Sequence, residues 1–237
     1  MRAEYLEDRG KTIQLLEKGT TMDVARKIAS DINMVRRLGV RVPSFYEAVE
    51  TEGRTGLAFD KPTGGTFTDW FGSSKYHWDK MVSLFAHEAH EMHLHNVPEL
   101  DSVKDLIAPR LRRAGLSNDL LARTEVIMKK LPDGDGLCNW NHIPGNVIVS
   151  RDGPSNIRWE ALRKGPYLAD VARTIVLLKL EGEDVLAEAF RKEYMKICGR
   201  PDEELAAWML IVAADKLADG IGAEKETLGK IVRANDV

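Results

Sequence analysis

The chain has 237 residues, 43% of them hydrophobic, enough for one folded protein with a substantial buried core. Its 34 Lys and Arg against 37 Asp and Glu give a formal charge of −3, which excludes a general electrostatic attraction to nucleic acid or to a membrane surface. No apolar signal region follows Met1 and no apolar run is long enough to span a bilayer; Cys138 and Cys198 lie far apart, so the expectation is a cytoplasmic chain with reduced thiols.

In chain order, Ile13-Gln14-Leu15-Leu16 reads as a strand and residues 21 to 38 as a helix ending at Gly39. Phe45 to Val49 and Thr55 to Phe59 read as strands around the turn Glu52-Gly53-Arg54. Lys61-Pro62-Thr63-Gly64-Gly65 reads as a linker, dividing a strand-rich segment, 1–62, from a helical segment, 63–237. A helix is predicted from about Lys75 to His95, stopped by Pro98. Others run from Asp101-Ser102 to Gly115 and from Ser117-Asn118 to Lys130, where a serine at each start can cap the free amides of the first turn. After the turn Pro132-Asp133-Gly134-Asp135-Gly136 come helices at about 167–181, 183–198, 202–219 and 223–235. The pattern as a whole is α+β.

The stretch from 137 to 174 carries the chemical information. It contains Leu137-Cys138-Asn139-Trp140-Asn141-His142-Ile143-Pro144-Gly145-Asn146, then Ile157-Arg158-Trp159, then Ala169-Asp170-Val171-Ala172-Arg173-Thr174. This resembles the helical lobe of the aminoglycoside phosphotransferase and choline kinase-like family, whose motifs read L-C-H-G/W-D-F/L-H-P-G-N, I-D-W and L-A-D-V-A-R-T. The resemblance implies a two-lobed, protein-kinase-like fold with a small strand-rich N-terminal lobe, here lacking a Gly-rich loop, and a mainly helical C-terminal lobe. It places the linker at the hinge that meets adenine. It also implies that a first strand and a phosphate-covering turn should already have passed where this chain begins.

Position by position, the resemblance puts Asn141 where the acceptor-binding Asp belongs and Arg158 where a metal-binding Asp belongs. Gln14 stands at the phosphate-binding Lys, and the Glu that pairs with that Lys falls near Lys27 and Ile28. An amide cannot accept a proton near neutral pH, and a guanidinium has donors only and cannot ligate a metal. Asn146 is retained, but one neutral carbonyl makes a poor magnesium site. Phosphoryl transfer rests on positioning and on the metal, so these substitutions remove the groups that do the work. No catalytic residue, metal or cofactor is therefore expected.

Gln14, Asn139, Asn141, His142, Asn146 and Arg158 are the candidates to line a ligand pocket. Arg158 either contacts a phosphate or carboxylate in place of the missing cation, or forms a salt bridge with Glu160 or Asp170. Asp170, with Arg173, is expected to hold the loop backbone and so to be structural. His87, His90, His93 and His95 lack the H-E-x-x-H spacing of a zinc peptidase and read as packing and surface residues. Two functional readings follow. The first is a pseudokinase, a fold kept as a module that binds a small molecule or a protein partner. The second is an active phosphotransferase on a small hydroxylated or amino compound, using ATP and magnesium held by acids such as Asp152 or Glu160.

Overall fold

The structure, a computed structural model, describes residues 4–8, 11–73 and 78–235. Its strands and helices follow in the order β1 (Glu4–Asp8), β2 (Lys11–Leu15), α1 (Met22–Arg37), β3 (Phe45–Thr51), β4 (Arg54–Asp60), β5 (Gly65–Thr66), α2 (Phe67–Ser73), α3 (Trp78–His93), α4 (Val103–Arg113), α5 (Asn118–Lys130), β6 (Gly136–Cys138), β7 (Val147–Ser150), β8 (Gly153–Asn156), β9 (Arg163–Gly165), α6 (Tyr167–Leu180), α7 (Asp184–Cys198), α8 (Asp202–Leu217) and α9 (Ala223–Ala234). The chain divides into two compact units, Met1–Lys75 with Pro144–Leu162, and Tyr76–Ile143 with Arg163–Val237. Among the described residues, no helix is long and apolar enough to cross a membrane.

The first unit is built on an antiparallel sheet in the order β1-β2-β4-β3. Ile13, Leu15 and Ala58 share one face by the twofold alternation of strands, and Leu6 and Val49 pack against them. Gln14 lies on the opposite face, with Tyr5 and Leu57 as its cross-strand neighbours. Thr21 caps α1, its hydroxyl accepting from Val24 N at 3.4 Å, and Ala25, Ala29, Ile32 and Val35 make the buried stripe of a helix set against β3 and β4. The strand Glu4–Asp8 precedes β2 in a segment for which the sequence predicted no element; residues 9 and 10 lie outside the described residues. This acidic segment has no strand signature of its own and is extended because β2 pairs with it residue for residue, from Glu4↔Leu15 to Asp8↔Lys11.

The linker also does more than connect. Its last residue, Gly65, begins β5, which pairs with β7, and β7 forms a hairpin with β8 across Arg151 and Asp152. Gly64 has φ +127°, and a Cβ there would lie 2.4 Å from the Val149 carbonyl oxygen. Gly64→Ala is therefore expected to destabilise the protein by roughly 1–3 kcal/mol, since the backbone must leave this conformation and the contact is with main chain. The shift in the thermal unfolding midpoint measures it, and an unchanged midpoint would show that the β5 entry relaxes freely.

The second unit is helical. α6 is buried along most of its length (Leu168, Ala169, Val171, Ala172, Ile175, Val176 and Leu178) and packs on α7, α8 and α9. α8 is enclosed over Trp208 to Asp215, which explains its nearly continuous apolar sequence. Ser102 and Ser117 accept from Lys104 N and Leu120 N at the starts of α4 and α5, and Gly199, at φ +62°, ends α7 in the left-handed region. β6 and β9 form a short antiparallel pair on either side of residues 139–162, the part of the 137–174 motif that precedes α6. The predicted helix from Lys75 to His95 is Trp78–His93; its first residues, 75 to 77, lie outside the described set.

Candidate functional site

The motif crosses from one unit to the other between Ile143 and Pro144, so its two halves are built by different sets of elements.

In the helical unit, the loop after β6 is held by the first two turns of α6. Asp170 is 1% exposed; its Oδ2 accepts from Asn139 N at 3.0 Å and its Oδ1 from Trp140 N at 2.7 Å. His93 Nε2 lies 3.1 Å from Oδ2, and its Nδ1 lies 2.6 Å from the Tyr194 hydroxyl. A proton on Nε2 donates to the carboxylate and leaves Nδ1 to accept from Tyr194, so one arrangement satisfies all three groups. Arg173 Nε donates to the Trp140 carbonyl at 3.0 Å, with the guanidinium 5.0 Å from the Trp140 ring centroid. Thr174 donates to the His142 carbonyl at 2.8 Å. Trp140 has φ +61°, a conformation that non-glycine residues keep only when the surroundings impose it, and these bonds impose it.

The remaining loop candidates sit as follows. Asn139 is fully buried and its Oδ1 accepts from Asn141 N at 3.1 Å, a side-chain turn that leaves Asn141 half-buried. His142 is 1% exposed and its ring stacks on Phe85 at 4.3 Å between centroids, with Phe190 packed against both rings at 6.3 Å from His142 and 5.2 Å from Phe85. Burial pushes its pKa down to about 4 against the opposing pull of Asp170. The Glu88 carboxylate lies 3.2 Å from Nδ1 but off hydrogen-bond alignment. Desolvation governs, because the ring is shut in an aromatic core, and the imidazole is neutral at pH 7. It belongs to the packing of the helical unit.

In the sheet unit, Pro144–Asn146 is a single 3-10 turn leading into β7, and the Asn146 carbonyl accepts from Ile157 N at 2.8 Å. Asn156 Oδ1 accepts from Arg158 N at 2.8 Å, and the indole of the fully buried Trp159 donates to the Asn156 carbonyl at 2.6 Å. These bonds fix the direction of Arg158. Its Nε donates to Glu160 Oε1 at 2.6 Å, its Nη2 donates to the same oxygen, and the Tyr5 hydroxyl also bonds to the guanidinium. Both charged side chains are mostly buried, at 14% and 17% exposed. Gln14 is 1% exposed, and neither its Oε1 nor its Nε2 has a hydrogen-bond partner. Lys27 lies on the exposed side of α1, bonded to Asp31 at 2.9 Å.

The sheet unit therefore collects Tyr5, Gln14, Asn146, Arg158 and Glu160, and the helical unit collects Asn139, Asn141, His142, Asp170 and Arg173. Among the described residues, no group of three or more His, Cys, Asp or Glu is arranged to hold a metal ion. Sequence reasoning did not find Tyr5, which lies in the unpredicted strand, or Glu88, whose relation to His142 is purely tertiary. His93 was visible as one of four crowded histidines and, with His90, as a match to a pattern the resembling family has on this helix, without its contact to Asp170.

Three solved structures show where this architecture occurs. A thermostable mutant of aminoglycoside phosphotransferase APH(4)-Ia superposes with a TM-score of 0.69 at 15% identity, covering 99% of this chain and 94% of that one. Aminoglycoside-3'-phosphotransferase of type VIII gives 0.64 at 17% identity, covering 90% and 93%. The fold is that of the aminoglycoside phosphotransferases. Amicoumacin kinase hAmiN, solved with AMP-PNP, Ca2+ and Ami, shares it with a TM-score of 0.63 at 11% identity, covering 99% of this chain and 87% of its own. No protein-family model and no curated protein sequence matches the chain. At these identities it is the fold that is shared, and the side chains decide the chemistry.

Proposed function

We propose that this chain is a pseudokinase of the small-molecule phosphotransferase fold, a cytoplasmic module that binds a small molecule without magnesium and transfers no phosphoryl group. The observation that carries the reading is the Arg158–Glu160 pair. Arg158 occupies the position that the resemblance gives to a metal-binding carboxylate, and its cation is bonded to the nearest acid in the sheet unit. A divalent ion there would have to displace a guanidinium from its own carboxylate and settle for the Asn146 carbonyl as a further oxygen, so the donor set does not fit magnesium.

Asn141 supports the same reading. Its side chain is an amide at the position of the acceptor-binding acid, and the buried imidazole next to it is too weak a base, and too enclosed, to replace that acid. Asp152 lies in the exposed turn between β7 and β8, where its amide donates to Ser150 Oγ at 3.1 Å, a turn role.

Calorimetric titration with AMP-PNP, with and without magnesium, tests the proposal. The expected result is no binding, or binding of the same affinity in both conditions. A strengthening of tenfold or more by magnesium, about 1.4 kcal/mol, would overturn it in favour of an active phosphotransferase.

A further inference from the structure

Gln14 is the least explained side chain in the sheet unit. A buried carboxamide offers two donors and an acceptor, and buried groups of this kind are almost always hydrogen-bonded to protein, water or ligand. Here both ends are unpartnered at 1% exposure. The neighbouring side chains narrow what could satisfy it. Tyr5 is in direct register with Gln14 and on the same face, and it reaches Arg158 through its hydroxyl. The Arg158 charge is already taken by Glu160. The face therefore presents an amide, a phenol ring and a neutralised ion pair, and a phosphate arriving there would meet no uncompensated cation.

We propose that the Tyr5–Gln14 face is a binding site for a small neutral ligand that carries a hydrogen-bond donor and acceptor side by side, as a primary carboxamide or a nucleobase edge does. Glutamine pairs with such an edge through two simultaneous bonds, Oε1 accepting and Nε2 donating. The Tyr5 ring, on the same face and next in register, supplies an aromatic surface for a flat ligand. Access lies past Tyr5. β1 is the outer strand of its sheet and Tyr5 is 41% exposed, so opening this face requires the Tyr5 side chain to give up its bond to Arg158 but leaves the backbone ladder with β2 in place. The inference deepens the proposed ligand-binding function and rests on it.

The test titrates nicotinamide, adenine and inorganic phosphate separately into the full chain, by ligand-observed NMR and calorimetry, in wild type and in Gln14→Leu. Leucine removes the two unsatisfied groups, so the variant should fold at least as well as wild type. Binding of nicotinamide or adenine is expected, weakened in Gln14→Leu on the order of tenfold or more through the loss of two hydrogen bonds, with no binding of phosphate. Which neutral probe binds separates a carboxamide ligand from a nucleobase. Failure of both to bind wild type, equal affinity in Gln14→Leu, or phosphate binding that depends on Gln14 would each overturn the inference. Magnesium-dependent AMP-PNP binding would instead strike the pseudokinase reading, so the two failures are distinguishable.

Discussion

Replacing Asp170 with alanine is expected to remove on the order of 3–5 kcal/mol of stability, the largest effect of any single polar substitution in the helical unit. The carboxylate is buried at 1% exposure and accepts two consecutive backbone amides, Asn139 N and Trp140 N, besides its contact with His93 Nε2. Alanine would leave those donors buried with no acceptor, each a loss of about 1–3 kcal/mol, and would free Trp140 from the force that holds its positive φ. Asp170→Asn should retain part of the stability, since one carbonyl oxygen can still accept. Denaturant titration of the two variants provides the measure, and a loss below about 1 kcal/mol in Asp170→Ala would mean that water takes over the amides and that the loop is not held as described.

The second large effect is a loss of stability in mild acid. His142 has a folded pKa of about 4, well below that of an exposed imidazole, so between pH 4 and about 6.5 the unfolded chain binds a proton that the folded chain refuses. Stability contributed in this way is fully present above about 6.5 and is lost as the pH falls toward 4, by up to about 3 kcal/mol. The His142→Leu variant should lose this slope while keeping the contact with Phe85. Denaturant midpoints at a series of pH values compare the two chains. Direct NMR titration of the ring is the sharper check: an imidazole titrating above 6.5 would show that Glu88, and not burial, controls it.

The helical part of the fold was legible because its signals are local. Ser102, Ser117 and Gly199 mark helix ends by chemistry that acts within one turn, and the helices were placed to within a few residues. What was not legible depends on distant partners. Glu4–Asp8 is a strand only because β2 lies beside it, and Gly65–Thr66 only because Val149 and Ile148 do. Phe67–Ser73 is too short a helix for a periodic stripe to show.

The candidate site divides the same way. The resemblance singled out Asn141, Arg158 and Asp170, and Glu160 could be named as a partner for Arg158 because it is two residues away. The Tyr5–Arg158 bond and the His142–Glu88 approach join residues far apart in the chain, where no pattern in one sequence can point. Gln14 was singled out by the resemblance, as the residue standing at the phosphate-binding Lys; that its amide has no partner is a fact of packing alone.

The division of the chain also bears on how the protein comes to be folded. The sheet unit is written in two pieces, and about 70 residues of the helical unit intervene between them, a separation whose entropic closure penalty grows only with the logarithm of its length. During synthesis the first piece leaves the ribosome without β7, the strand that β5 requires, and it must wait while the long middle segment emerges. The helices α3, α4 and α5 are made in that interval, but α7 and α8, against which they pack, follow only later. Nascent chains arrested before residue 144 would accordingly hold an incomplete sheet unit, with Gln14 already made and Arg158 not yet translated, and the polar face described here can be completed only after Glu160 has emerged, before the helices α6 to α9 are made.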